Sequence, residues 1–332
     1  MSIHYPKNHK FQIKYFDELD DPYQLTTLYY LSLNSTRIAP EFLSKIRQKE
    51  DRFVPKFGKF AVNPDGILIG GVFLMKILTK TIMGDVTVGG LSAVATRPGY
   101  ERKGVMTNLA TSCHDYFASE DIDYTFLTTT RSSGAYSLYK KLGYNDLTFC
   151  NIAWKQNKGT NVHNKDNMIV NFEIQNYSDV DRIFIESTQD SYGFVYRPKE
   201  FLKARVFGPF SEPLPLEKMR LAKNKEEVTG YAYWEKCPQI CICSEILAND
   251  KSSFISLLID AENRFENKTL IIYCGGLSKR EIGWLQTWGY QTENPTYWTV
   301  MVKSLRNQKL ESIKSLFGVN TKLFRMGIWD YT

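Results

Sequence analysis

The stretch from Leu91 to Phe117 reads LSAVATRPGYERKGVMTNLATSCHDYF: an apolar strand that ends at Arg97-Pro98, a turn holding Gly99 and Gly104, and a helix with one apolar face. That order suits anion binding. The first amides of a helix lack internal partners, and the helix dipole adds positive potential worth roughly 0.3 to 1 kcal/mol per charge at an exposed site, so a diphosphate can be cradled there. Gly104 lets the backbone approach such a group closely, and Arg102 and Lys103 add positive charge. An ordinary strand-to-helix turn with solvated basic residues would share these features. Downstream, YTFLTTTRSSGAYSLYKKLGY, from Tyr124 to Tyr144, reads as strand, turn and helix. Tyr139 on that helix is either a core aromatic or a phenol that gives a proton to a leaving group. Other candidates fall away. His114 stands between Cys113 and Asp115, but adjacent helical residues face different directions, so a solvated side chain is expected rather than half of a catalytic pair. Cys237, Cys241 and Cys243 have no ligand-like His or second Cys pair nearby, and no metal is expected.

Together the two stretches resemble the GNAT superfamily of N-acetyltransferases. Its motif A is a strand followed by Gln/Arg-x-x-Gly-x-Gly/Ala at a helix start; this chain has Glu101-Arg102-Lys103-Gly104-Val105-Met106 in that register, with Glu101 and Met106 departing from it. Members often carry Asn-x-x-Ala-x-x-x-Tyr-x-x-x-Gly-Phe after the next strand, and Ser132, Ala135, Tyr139, Gly143 and Tyr144 stand in the matching places. The resemblance implies acetyl-CoA as cosubstrate. Val94, Ala95 and Thr96 would hydrogen-bond its pantetheine arm through their main chain, and Arg102, Lys103, Gly104, Val105, Met106 and Thr107 would hold its pyrophosphate. Ser132, in the place of the motif's Asn, joins the cofactor-binding set. Tyr139 would sit near the thioester sulfur as the acid. The implied reaction is transfer of an acetyl group to a primary amine by direct attack within a ternary complex, with a backbone amide near Val94 stabilising the oxyanion. An alkylammonium of pKa ~10.4 must first lose a proton, and no Glu lies between Val88 and Val94 to take it. In relatives of the enhanced-intracellular-survival type, which also carry tandem GNAT units, the terminal carboxylate reaches the first active site; the same likeness points here to Thr332 as base.

The elements that must position these residues follow from periodicity. Strands are expected at Phe11 to Leu19, Gly58 to Val62, Ile67 to Leu78, Asp85 to Thr96 and Tyr124 to Thr130, with a closing strand at Leu147 to Trp154. Helices are expected at Pro22 to Asn34, Pro40 to Arg52, from Lys103 onward, and at Ser132 to Leu142, which Gly143 ends. A degenerate second copy follows. Tyr124 to Tyr144 aligns without a gap on LIIYCGGLSKREIGWLQTWGY from Leu270 to Tyr290, and Phe11-Gln12-Ile13 resembles Phe172-Glu173-Ile174. In that copy Asp250 takes the place of Gly104 and Leu285 that of Tyr139, so it is not expected to bind acetyl-CoA. The layout is then a catalytic unit at 1–156, a linker at 157–167 and a degenerate GNAT-like unit at 168–332. The fold class is α/β (α+β), a mixed sheet flanked by helices and duplicated in tandem.

Composition agrees with this. The 332 residues, 43% of them hydrophobic, can fill two cores, and six cysteines without scaffold spacing suit thiols in a reducing, cytoplasmic setting. No run is apolar enough for a signal peptide or membrane span. A net charge of +6 favours an anionic partner, but Lys and Arg are interspersed with Asp and Glu, which argues against nucleic acid. Two other classes stay open: a non-catalytic acyl-CoA sensor or scaffold, and a nucleic-acid-associated regulator. The acceptor amine and any oligomeric state are beyond the sequence.

Overall fold

The computed structural model describes residues 10–33, 52–159, 162, 167–198, 201–202, 216–294, 298–327 and 330. In chain order the first half forms β1 (Gln12–Tyr15), a 3-10 turn (Phe16–Glu18), α1 (Gln24–Leu33), β2 (Phe53–Val62), β3 (Leu68–Thr81), β4 (Gly84–Thr96), α2 (Val105–Ser119), β5 (Tyr124–Thr130), α3 (Gly134–Lys141), β6 (Asn145–Phe149) and β7 (Ile152–Gln156). The second half adds β8 (Met168–Asn171), α4 (Tyr177–Thr188), β9 (Tyr192–Gly193), β10 (Met219–Asn224), β11 (Glu227–Lys236), β12 (Ile240–Ala248), α5 (Lys251–Arg264), β13 (Thr269–Tyr273), α6 (Lys279–Thr287), β14 (Gln291–Glu293), β15 (Trp298–Ser304), α7 (Leu310–Leu316) and β16 (Phe324–Arg325). The expected helix at Pro40 to Arg52 lies outside the described residues apart from its last position.

Two mixed sheets result, ordered β1-β2-β3-β4-β5-β15-β6 and β14-β7-β13-β12-β11-β10-β8, with β9 and β16 attached to the first. Each has one parallel pair at its centre, β4 with β5 and β12 with β13. The two halves exchange strands. β15 runs antiparallel to β5 over its whole length, from Trp298 opposite Thr130 to Ser304 opposite Tyr124, and pairs with β6 on its other side. Reciprocally, β7 lies between β13 and β14 of the second sheet.

The expected closing strand at Leu147 to Trp154 is thereby corrected. The chain leaves the first sheet at Cys150, whose amide donates to the Trp298 carbonyl, and enters the second at Asn151, whose carbonyl accepts from the Cys274 amide. Alternation is nearly continuous across this stretch, so it does not reveal a change of sheet. The linker's first residues are fixed as well: Asn157 is buried and donates to the Glu262 and Phe265 carbonyls.

One face of the first sheet carries α2 and α3, with Val105, Leu109, Cys113, Phe117, Tyr139 and Tyr144 packed against Leu127 and Met301. The other carries α1 and α7, where Leu25, Leu28, Tyr29 and Phe317 meet the edge-to-face aromatics Phe57, Phe60 and Phe73. Each such side chain contributes about 1.5 to 3 kcal/mol by leaving water. Gly89 lets α2 come close to β4, since a Cβ there would meet the Phe117 ring at 2.7 Å.

The duplication is visible in the caps. Gly104 and Asp250 both precede the helix after the central strand, and Ser133 and Ser278 both cap the next one. The match of Phe11-Gln12-Ile13 to Phe172-Glu173-Ile174 does not hold in space. β8 ends at Asn171, and Glu173 caps a 3-10 turn at Ile174–Asn176, so β8 with its following turn is the counterpart of β1 with its own.

Candidate active site

The central parallel pair opens. β4 and β5 are in register only at Gly89 with Thr125 and Gly90 with Phe126, yet β4 continues to Thr96 and β5 to Thr130. On its far side β4 stays paired with β3, through a bulge in which Gly71 faces Ala95 and Phe73 faces Ser92. Ala93 occupies the left-handed region at φ 46°. A bulge there re-aims the backbone of Val94 to Thr96, whose β5 side has no ladder partner.

Beyond β4 the chain turns through a series of left-handed residues, Gly99, Arg102 and Gly104, before α2 begins. Gly104 has φ 78° and no side chain caps the helix, so the amides at Val105, Met106 and Thr107 are left for another acceptor. Glu101 does not fill this concavity, because its carboxylate accepts from the Gly99 amide at 2.6 Å. Met106 turns into the core under α2. Both motif departures are therefore directed away from the helix end. Arg102 is exposed and Lys103 rests its ammonium over the Tyr100 ring at 5.0 Å. Ser132 lies exposed in the turn after β5, and capping of α3 falls to Ser133, whose hydroxyl accepts from the Tyr136 amide.

Tyr139 is 4% exposed, packed edge-on against Tyr144 at 5.8 Å, and burial raises its phenol well above the usual range. It stays protonated at neutral pH. Tyr144 is fixed in turn by Thr125 at 2.9 Å and His114 at 3.0 Å. The expectation of a solvated His114 is overturned: the ring is 6% exposed, because α2 turns that face toward β5 and β15. Lys303 of β15 lies 3.2 Å from its Nδ1. An ammonium only donates, so Nδ1 is the acceptor and Nε2 carries the proton toward the Tyr144 oxygen.

Burial first, and the Lys303 charge second, lower the His114 pKa to about 3 from 6.5. The unfolded chain thus binds a proton that the folded chain refuses. Stability from this group is complete above pH 6.5 and falls by up to about 1.4 kcal/mol per pH unit as the pH drops toward 3. In urea titrations at neutral and acid pH, His114→Gln is expected to lose less stability on acidification than the parent; an unchanged slope would assign the acid sensitivity elsewhere.

The second half differs at each of these points. Between β12 and α5 stand only Asn249 and Asp250, and the Asp250 carboxylate accepts from the Ser253 amide at 2.8 Å, occupying the helix end. Leu285 is buried where Tyr139 would be. β12 and β13 part after Cys243, and Glu245, two residues on, is met by Arg197, which also binds Asp330. Burial works against the Arg197 charge, but the Asp330 and Glu245 carboxylates outweigh it and hold the guanidinium above its ordinary pKa. Thr332 lies outside the described residues.

Sequence reasoning missed β15 as part of this site. Met301 packs in the Tyr139 cluster, Lys303 holds His114, and Thr299 donates to Asp146 at 2.8 Å. Its alternation marks a strand, but no local signal says which sheet receives it. Between the sheets lies a cavity of about 350 Å³, lined by Phe149, Cys150, Val300 and Phe324 from the first sheet and by Cys274 and Leu277, which follow β13 of the second.

Residues 20–146 match the model of the acetyltransferase (GNAT) domain. No curated protein matches the chain. Among solved structures, a GCN5-related N-acetyltransferase from Anabaena variabilis is 11% identical with a TM-score of 0.66, the alignment covering 89% of this chain and 73% of that one. One from Kribbella flavida is 14% identical with a TM-score of 0.60, covering 89% and 71%. Eis1 from Mycobacterium abscessus is 11% identical with a TM-score of 0.56, covering 89% and 74%. At such identities the structural likeness is one of fold. No described helix is long and apolar enough to cross a membrane. The open β4–β5 pair and the uncapped α2 thus lie within the stretch that matches a GNAT acetyltransferase domain, and the two sheets of the chain fit a tandem duplication.

Proposed function

We propose that the chain binds acetyl-CoA in its first half and transfers the acetyl group to a primary amine within a ternary complex. The observation that carries this reading is the parting of β4 from β5 beside the uncapped start of α2. Main-chain groups of Val94, Ala95 and Thr96 that β3 does not take suit the amides of a pantetheine arm, at an edge where the Ser32 hydroxyl already donates to the Thr96 carbonyl at 2.9 Å, and the amides of Val105 to Thr107, with Arg102, Lys103 and Gly104, suit a pyrophosphate. A Cβ on Gly104 would meet nothing closer than Asn108 Nδ2 at 3.5 Å, so the cradle is open. Ser132, exposed in the turn after β5, joins this set by its place in the motif.

In the reaction the neutral amine, its proton lost to water, attacks the thioester carbonyl. The C–N bond forms, the oxyanion is held by a backbone amide near Val94, the C–S bond breaks, and Tyr139 gives its proton to the departing thiolate. Water takes the second proton that the nitrogen sheds as the amide forms, and returns one to the phenol. In this reading 1–156 carry the chemistry, 157–167 connect, and 168–332 are a degenerate copy that lends β15 and walls the acceptor side.

Acetyl-CoA at a hundred times its dissociation constant should stabilise the protein by about 2.7 kcal/mol. Gly104→Glu places a carboxylate at the helix start, where φ 78° also disfavours a side chain, and is expected to abolish that stabilisation while the protein still folds. Equal stabilisation of parent and variant would remove the cradle from the reading; binding of two acetyl-CoA per chain would contradict a degenerate second half.

A further inference from the structure

Resting on that reading, we propose that the cavity between the two sheets receives the acceptor, and that the acceptor is an amine that also carries an anionic group. The position comes from the sheet. Val300 faces Thr128 of β5 and Thr148 of β6, and it belongs to the core under α1 and α7, on the face opposite α2 and α3. The cavity that Val300 lines is therefore on the side away from the α2 cradle, one strand from the parted end of β5. Direct transfer needs its two substrates to arrive from different sides of one gap.

The chemistry comes from the lining. Phe149, Leu277, Ile282, Val300 and Phe324 line it beside the polar Thr148, Asn151 and Asn294, and among the described residues its charged lining side chains are Lys279 and Lys322. Both lysines are exposed at the rim and form no ion pair among the described residues. A third cation, Arg131, lies 5.5 Å from the Phe149 ring centre. Among the described residues no Asp or Glu lines the cavity.

The carboxylates on bordering elements are already engaged. Asp146 accepts from Tyr136 and Thr299, each at 2.8 Å, and Glu293 accepts from Trp154 Nε1 at 2.7 Å. Glu281 accepts from Ser278 and faces Arg325, and Asp330 faces Arg197. A purely cationic amine meets only like charge here. An added carboxylate or phosphate supplies the complement, and the amine can then point toward β5.

The test uses the full chain and two matched pairs of amines, leucine with 3-methylbutylamine and phosphoethanolamine with ethanolamine, titrated by calorimetry with and without coenzyme A. In at least one pair the anionic member is expected to bind about tenfold more tightly, with the preference shrinking at high salt. The pair with the larger ratio identifies the group as carboxylate or phosphate. The double variant Lys279→Glu, Lys322→Glu should erase the preference and leave coenzyme A affinity unchanged. Equal or tighter binding of the uncharged-tail amines, or no binding by any of the four, would overturn the proposal. Loss of coenzyme A binding would instead count against the cofactor reading, since the amine titrations stand without it.

Discussion

A chain ending after Gly159 is expected neither to unfold cooperatively nor to bind acetyl-CoA, although it contains every residue of the proposed cradle. The reason is the place of β15. It is an interior strand, paired with β5 on one side and β6 on the other, and without it β6 has no neighbour in the sheet. Val300, Met301 and Val302 are essentially buried, at about 1.5 to 3 kcal/mol each, and their loss is comparable with the whole stability of a typical domain, about 5 to 15 kcal/mol. Met301 also borders Tyr139, so the site loosens where the chemistry is proposed. Circular dichroism melts and acetyl-CoA titration of the fragment check this directly. Co-expression of 1–159 with 160–332 should restore binding, because β15 and β7 can exchange between separate pieces as they do within one chain. A stable, acetyl-CoA-binding fragment would instead show that β7 folds back into the vacant place.

That exchange marks the boundary of what the sequence discloses. The helix from Val105, the strand at Tyr124–Thr130 and the end of α3 before Gly143 were legible because 3.6-residue and two-residue periods and turn residues are local properties. The equivalence of Gly104 and Asp250 was legible for the same reason, and the Asp250 carboxylate proves to cap its helix. Partner choice is not local. Ile152–Gln156 and Trp298–Ser304 are both alternating strands at the end of a similar unit, and either sheet satisfies their pattern. His114 was misjudged on a related ground: a helix shows its apolar face in its spacing, but a polar residue at the edge of that face is buried only when donors such as Lys303 arrive from elsewhere. The Arg197, Glu245 and Asp330 cluster joins residues from three distant segments and left no trace in spacing.

Tyr139→Phe is expected to lower kcat by about a hundredfold to ten-thousandfold while acetyl-CoA affinity and thermal stability stay close to the parent's. Stability should hold because burial, and no hydrogen bond, shifts this phenol, so removing its oxygen strands no partner. The packing against Tyr144, Val105 and Met301 depends on the ring, which phenylalanine retains. Turnover should fall because the thiolate then takes its proton from water rather than from a group already in place. Tyr144→Phe is the matched control. It removes an oxygen that Thr125 and His114 both address, so it should cost stability by leaving buried groups unsatisfied, yet spare most of kcat. Steady-state kinetics with any amine found to be acetylated, beside thermal melts, separate the two effects. Full turnover in Tyr139→Phe would make this tyrosine a core aromatic and pass the acid role to solvent. The opposite pattern, in which Tyr144→Phe loses turnover and Tyr139→Phe does not, would place the proton path along Lys303, His114 and Tyr144 instead.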